Sequence, residues 1–116
     1  MNLKLLHSDE RGEISHLTGA EFPYPEVTVF VTKKGKARGG CIHHINDEFS
    51  CVISGEVTYF IGESMVVLRD GECVTIPKST PHYLYSLTDS VVLEWGATEE
   101  EKKEKPKESA KPIEKL

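Results

Sequence analysis

Residues 35–55 read Gly35-Lys36-Ala37-Arg38-Gly39-Gly40-Cys41-Ile42-His43-His44-Ile45-Asn46-Asp47-Glu48-Phe49-Ser50-Cys51-Val52-Ile53-Ser54-Gly55, a G-x5-C-x-H-x4-E-x6-G pattern. A second pattern, Gly71-x5-Pro77-x-Ser79-x2-His82-x3-Ser86, follows it. Between them they supply a thiol, two imidazoles and a carboxylate. One small barrel would aim these groups at a single point.

The chain around the two patterns is built of short apolar runs between turn signals. Val27–Thr32 is rich in β-branched residues and reads as a strand. Phe49–Ile53, Val57–Ile61, Met65–Leu68, Cys73–Ile76, His82–Leu87 and Val91–Trp95 read the same way. Lys33-Lys34-Gly35, Ser54-Gly55 and Gly62-Glu63 separate them, and Asp70-Gly71 predicts a hairpin turn. No stretch before residue 98 sustains a helical period. Short strands at this spacing predict an all-β fold, an antiparallel jelly-roll β-barrel.

Strand side chains alternate between faces, so Cys41 and His43 are expected to point the same way. A bend at Ile45-Asn46-Asp47 would let Glu48 open the next strand facing the same cavity, and His82 would arrive from a separate hairpin. Two imidazoles, a carboxylate and a thiolate suit a transition metal, whereas calcium and magnesium prefer oxygen shells. Spacing alone also allows a structural cluster, with Glu48 bonded to buried histidines. His44 should face away from the cluster. His7 and His16 have no partner at ligand spacing.

The two patterns resemble those of the cupin superfamily, G-x5-H-x-H-x3,4-E-x6-G and G-x5-P-x-G-x2-H-x3-N. Gly35, His43, Glu48 and Gly55 match the first, with Cys41 in place of its first histidine. Gly71, Pro77 and His82 match the second, with Ser79 for glycine and Ser86 for asparagine. The resemblance implies a cupin-like barrel and one divalent transition metal (zinc, iron or nickel). Its ligands would be His43, Glu48 and His82, with Cys41 as a fourth.

Asp9-Glu10-Arg11-Gly12, taken with Arg38-Gly39-Gly40-Cys41-Ile42-His43, is similar to the nucleotide-sugar ketoisomerase and epimerase branch of the cupin-like proteins. That branch moves a proton beside a sugar carbonyl. The similarity implies His43 as general base, since its pKa lies near neutrality. His82 or Tyr85 would be a second proton carrier, and Arg11 and Arg38 would bind a substrate's phosphates. Both arginines would serve equally well as surface ion pairs. Glu48 and the Pro77…His82 pattern lean toward metal-binding cupins. The combined expectation is a metal-dependent isomerase or epimerase acting on a carbohydrate or other small polar substrate. An iron-dependent oxygenase and a non-catalytic ligand-binding or sensor module are the alternatives.

The 116 residues and 38% hydrophobic content allow one domain with one core. Residues 98–116 hold Ile113 and Leu116 as their only large aliphatics and no aromatic residue, so a barrel domain at 1–97 and a charged, disordered tail at 98–116 are expected. Six Lys and six Glu cancel within residues 99–116, which leaves the net charge of -5 on the body. An acidic body excludes a nucleic-acid partner and gives no reason for anionic membranes. Three cysteines and no signal peptide predict a cytoplasmic chain with Cys51 and Cys73 as free thiols, a disulfide being the alternative. If Glu48 and His82 point inward, Phe49, Cys51, Ile53, Tyr83, Tyr85 and Leu87 point outward. That much outer apolar surface predicts a homodimer.

Overall fold

The computed structural model describes residues 2–18 and 27–97; the side chain of Cys41 and the 98–116 tail lie outside the described residues. Ten strands and no helix occur among them: β1 (Asn2–Asp9), β2 (Gly12–Thr18), β3 (Val27–Thr32), β4 (Ala37–Cys41), β5 (Glu48–Ser54), β6 (Val57–Ile61), β7 (Ser64–Leu68), β8 (Cys73–Ile76), β9 (His82–Ser86) and β10 (Ser90–Trp95). They form a six-stranded sheet, β1-β2-β3-β10-β5-β8, and a four-stranded sheet, β4-β9-β6-β7. Every pairing is antiparallel. This is the expected all-β jelly roll.

Period-two alternation positions the interior. Strands β9 and β10 alternate buried with half-buried residues along their length, and β5 does so over its first five. The inward positions divide into two layers. Val52, Val92, Leu84, Ile76, Val57 and Leu68 fill the middle of the barrel. Glu48, Ser50, His82 and Glu94, all buried, occupy the neighbouring inward positions toward one end. Register fixes this division, because Val92 pairs with Val52 and Glu94 with Ser50. At the other end the hydroxyls of Ser86 and Ser90 bond each other.

Several expectations are corrected. The β1–β2 hairpin extends the large sheet beyond the strands read from sequence, and its turn is Asp9-Glu10-Arg11-Gly12. Gly12 is required there: its φ is +130°, and a Cβ would lie 2.0 Å from the carbonyl oxygen of Val31. Asp70-Gly71 is a turn but makes no hairpin. It carries the chain from β7 in one sheet to β8 in the other, held by Gly71 N–H donating to Val52 O at 2.7 Å.

Cys51 and Cys73 are not free thiols. They are register partners on β5 and β8, with Cα atoms 4.1 Å apart, and they form a disulfide. A cytoplasmic location therefore loses the support it drew from free thiols, since disulfides persist mainly in oxidising compartments. No helix among the described residues is long and apolar enough to cross a membrane.

Candidate metal centre

His43, Glu48 and His82 converge at the polar end of the barrel. One ligand atom from each lies within 4.8 Å of the others, and all three residues are buried. Glu48 opens β5 facing inward, as the spacing requires. His82 opens β9 in the same sense. His43 arrives differently. Strand β4 ends at Cys41, after a bulge at Gly40 where the register with β9 shifts. His43 therefore lies in the connection to β5, and strand alternation does not set its direction. Two hydrogen bonds hold it: its Nδ1 meets Asn46 O at 2.7 Å, and its own carbonyl accepts from Ser79 N at 2.6 Å. Asp47 Oδ1 also accepts from Lys78 N at 2.9 Å, so the two motif loops brace each other.

A backbone carbonyl only accepts, so His43 carries its proton on Nδ1 and turns the Nε2 lone pair toward Glu48, 3.7 Å from Oε1. His82 repeats the arrangement, with Nδ1 3.4 Å from Thr80 O and Nε2 3.2 Å from Glu48 Oε1. The two rings meet edge to face, centroids 5.1 Å apart. Histidine that gives one nitrogen to a carbonyl and offers the other to a shared point is the usual setting of a metal ligand. Two imidazoles and one carboxylate match zinc or iron. A fully buried carboxylate also needs a cationic partner. Without metal a proton fills that role. Burial lowers the pKa of His82, but the Glu48 hydrogen bond, the Glu94 and Glu48 charges and Thr80 outweigh it and raise the net value above the usual 6.5. The donor set fits a transition ion.

The other expected residues divide. The backbone of Cys41 pairs with His82, but its side chain lies outside the described residues. Arg38 is buried and lines the same cavity as Glu48 and His82, a space of about 180 Å³. Its Nε donates to Thr32 Oγ1 and its NH2 to Val31 O, each at 3.3 Å. Arg11 lines the cavity too. Asp9 joins the two arginines. It accepts from Arg11 Nε at 2.9 Å and NH2 at 2.6 Å, and lies 3.8 Å from Arg38 NH1. Arg11 and then His7 hold its carboxyl well below the usual carboxylate range. Tyr85 is not in the cavity wall and lies on the outward side of β9, between inward Leu84 and Ser86. His44 is exposed, with Nδ1 3.1 Å from Ser79 Oγ.

The cavity also holds residues the sequence reading missed. Glu94 and Tyr59 line it. The phenol of Tyr59 donates to Glu94 Oε2 and bonds the hydroxyl of Ser50. A signal existed: Glu94 interrupts the apolar run Val91-Val92-Leu93-Glu94-Trp95 at an inward position.

Residues 28–96 match the family model described as a cupin domain. The chain belongs to the cupin family. Among curated proteins no match is found. Solved structures share the fold. The capsular polysaccharide assembling protein CapF from Staphylococcus aureus superposes with a TM-score of 0.70 at 22% identity, over 84% of this chain and 29% of CapF. A RmlC-like cupin from Shewanella frigidimarina gives 0.69 at 16% identity, over 84% of this chain and 86% of that one. KdgF from Halomonas sp. gives 0.64 at 19%, over 81% and 86%. This chain thus spans under a third of CapF.

Proposed function

We propose that the protein is a metal-dependent isomerase or epimerase acting on a small anionic carbohydrate or similar polar substrate. The observation that carries this reading is the buried His43–Glu48–His82 cluster in a cavity shared with Arg38. A divalent ion at the cluster would polarise a substrate carbonyl. The chain supplies the rest. Arg38, fixed by Thr32 and Val31, faces the cavity with a guanidinium suited to a carboxylate or phosphate. Asp9 is the group an incoming anion would displace. A volume of about 180 Å³, roughly six waters' worth, suits a single sugar or smaller acid rather than a whole nucleotide sugar. The description of CapF as a capsular polysaccharide assembling protein supports the carbohydrate half of the reading.

A bound metal would be held by the Nε2 atoms of His43 and His82, which would then act as its ligands rather than as proton carriers. The role of general base for His43 belongs to a metal-free protein. An iron-dependent oxygenase is the second reading, favoured by the two-histidine, one-carboxylate composition of the cluster. Oxygen uptake by the iron(II)-loaded protein separates them: the isomerase reading predicts none.

We further propose that two copies pair through the outer face of the large sheet. There Val29 and Val31, Val91 and Leu93, and Cys51 lie in register across β3, β10 and β5. Phe49 stacks on Trp95 beside them, and Ile53 is 52% exposed.

A further inference from the structure

The cavity contains a second buried carboxylate that lies outside the metal cluster. Glu94 is 5% exposed, lines the wall with Glu48 and His82, and is not among the grouped ligand atoms. The phenol of Tyr59 donates to its Oε2. Burial first, and then the charge of Glu94, push the Tyr59 pKa well above its ordinary value, so the phenol keeps its proton and remains a donor. Ser50 bonds the same phenol oxygen. The relay therefore runs from Ser50 on β5 through Tyr59 on β6 to Glu94 on β10, across both sheets, and ends on a carboxylate. Ser50 and Glu94 are also register partners. Packing thus holds Glu94 in one direction, as a reacting group needs.

The metal-dependent isomerase reading requires a group that takes a proton from carbon. The Nδ1 atoms of His43 and His82 meet backbone carbonyls and their Nε2 atoms would be taken up by a metal, and Tyr85 faces outward. Tyr83 stacks on Phe60 with ring centroids 5.0 Å apart.

We propose that Glu94 is the proton carrier of the cavity, acting on a small 2-oxo or 2-hydroxy carbonyl acid. The C–H bond beside the carbonyl breaks and its proton goes to the Glu94 carboxylate. The electron pair enters a carbon–carbon double bond, and the carbonyl oxygen takes up the charge on the side of His43, Glu48 and His82. Glu94 then returns the proton to the same carbon, or, where that carbon bears a hydroxyl, to the former carbonyl carbon while the hydroxyl proton passes to the former carbonyl oxygen. Nothing is oxidised or reduced overall, and no co-reactant is needed. This inference rests on the isomerase reading of the site.

The test uses the full chain loaded with zinc, and pyruvate as the probe: a three-carbon 2-oxo acid with exchangeable methyl hydrogens. Loss of the methyl signal in D2O is followed by proton NMR, beside zinc content per chain. The wild-type protein exchanges the methyl hydrogens faster than the same concentration of zinc ion. Glu94→Gln slows exchange by about 10²- to 10⁴-fold, the usual worth of a positioned base, with zinc content unchanged. Glu94→Asp keeps the buried charge, guards against a folding failure in the glutamine variant, and slows exchange at least about tenfold by the same principle. Wild-type exchange by Glu94→Gln overturns the role of Glu94 and leaves the isomerase reading standing. Loss of zinc in Glu94→Gln overturns it too, by making Glu94 part of the metal site. No exchange by the wild-type protein overturns the isomerase reading itself, and the inference with it.

Discussion

The amide of Ser79 donates to the carbonyl of His43 at 2.6 Å, and this contact binds the loop after β4 to the loop before β9. One loop carries His43 and the other leads into His82, so the bond sets the spacing between two of the three candidate ligands. Ser79 makes it at a φ of 63°, the one non-glycine residue in the left-handed region among the described residues. A side chain costs about 1–2 kcal/mol in that conformation, and glycine returns part of it as chain entropy. Ser79→Gly should therefore raise stability by about 0.5–1 kcal/mol, read from the denaturant midpoint at constant m, without loss of metal.

The Cys51–Cys73 disulfide joins β5 to β8, the four-residue edge strand of the large sheet. Among the described residues β8 pairs only with β5, and it runs into the loop that precedes His82. The bridge spans a sequence separation of 22, and a loop of that size is worth about 3 kcal/mol. The double variant Cys51→Ser/Cys73→Ser should lose about that much in denaturant unfolding. Dithiothreitol should cost the wild-type protein the same and the variant nothing.

Metal-free and metal-loaded protein should respond to pH in opposite directions. His82 has a raised pKa in the folded protein, against 6.5 for an ordinary histidine. Its charged form thus stabilises the fold fully below 6.5, and that contribution is lost as pH rises through the raised value. Bound metal needs neutral imidazoles, so occupancy should fall as pH drops below about 6. Melting temperatures of the two forms should draw together in acid and separate in mild alkali. Parallel curves would contradict this.

A dimer through the large sheet predicts twice the chain mass by light scattering at micromolar concentration. Val31→Lys with Ile53→Lys, both at exposed positions, should return it to a monomer with the metal site intact. A monomeric wild-type protein would exclude this pairing.

Much of the site is legible in the sequence because period-two alternation and motif spacing act together. Glu48 and His82 each open a strand, so their inward direction follows once the strand is recognised. His43 joins the cluster without the strand alternation expected of it, since it lies past the end of β4 and hydrogen bonds aim it. The β1–β2 hairpin was hidden because a bulge between Leu5 and His7 breaks the alternation of β1, and Leu3, Leu5 and Leu6 are exposed. Asp70-Gly71 signals a reversal, but turn chemistry does not say which strand receives the chain. The disulfide depends on the β5–β8 register, which no local pattern carries. Glu94 was visible only as a charge in an apolar run, and its meaning depends on Tyr59 arriving from the other sheet.

His43, Glu48 and His82 are expected to hold a metal. Elemental analysis of protein purified without chelator, and again after reconstitution with zinc or iron(II), tests it most directly. One transition ion per chain is expected in the wild-type protein, little or none in His43→Ala and His82→Ala, and retention in Cys41→His, which restores the histidine of the cupin pattern. A wild-type protein that holds no metal after reconstitution, or alanine variants that hold as much as the wild type, would contradict it.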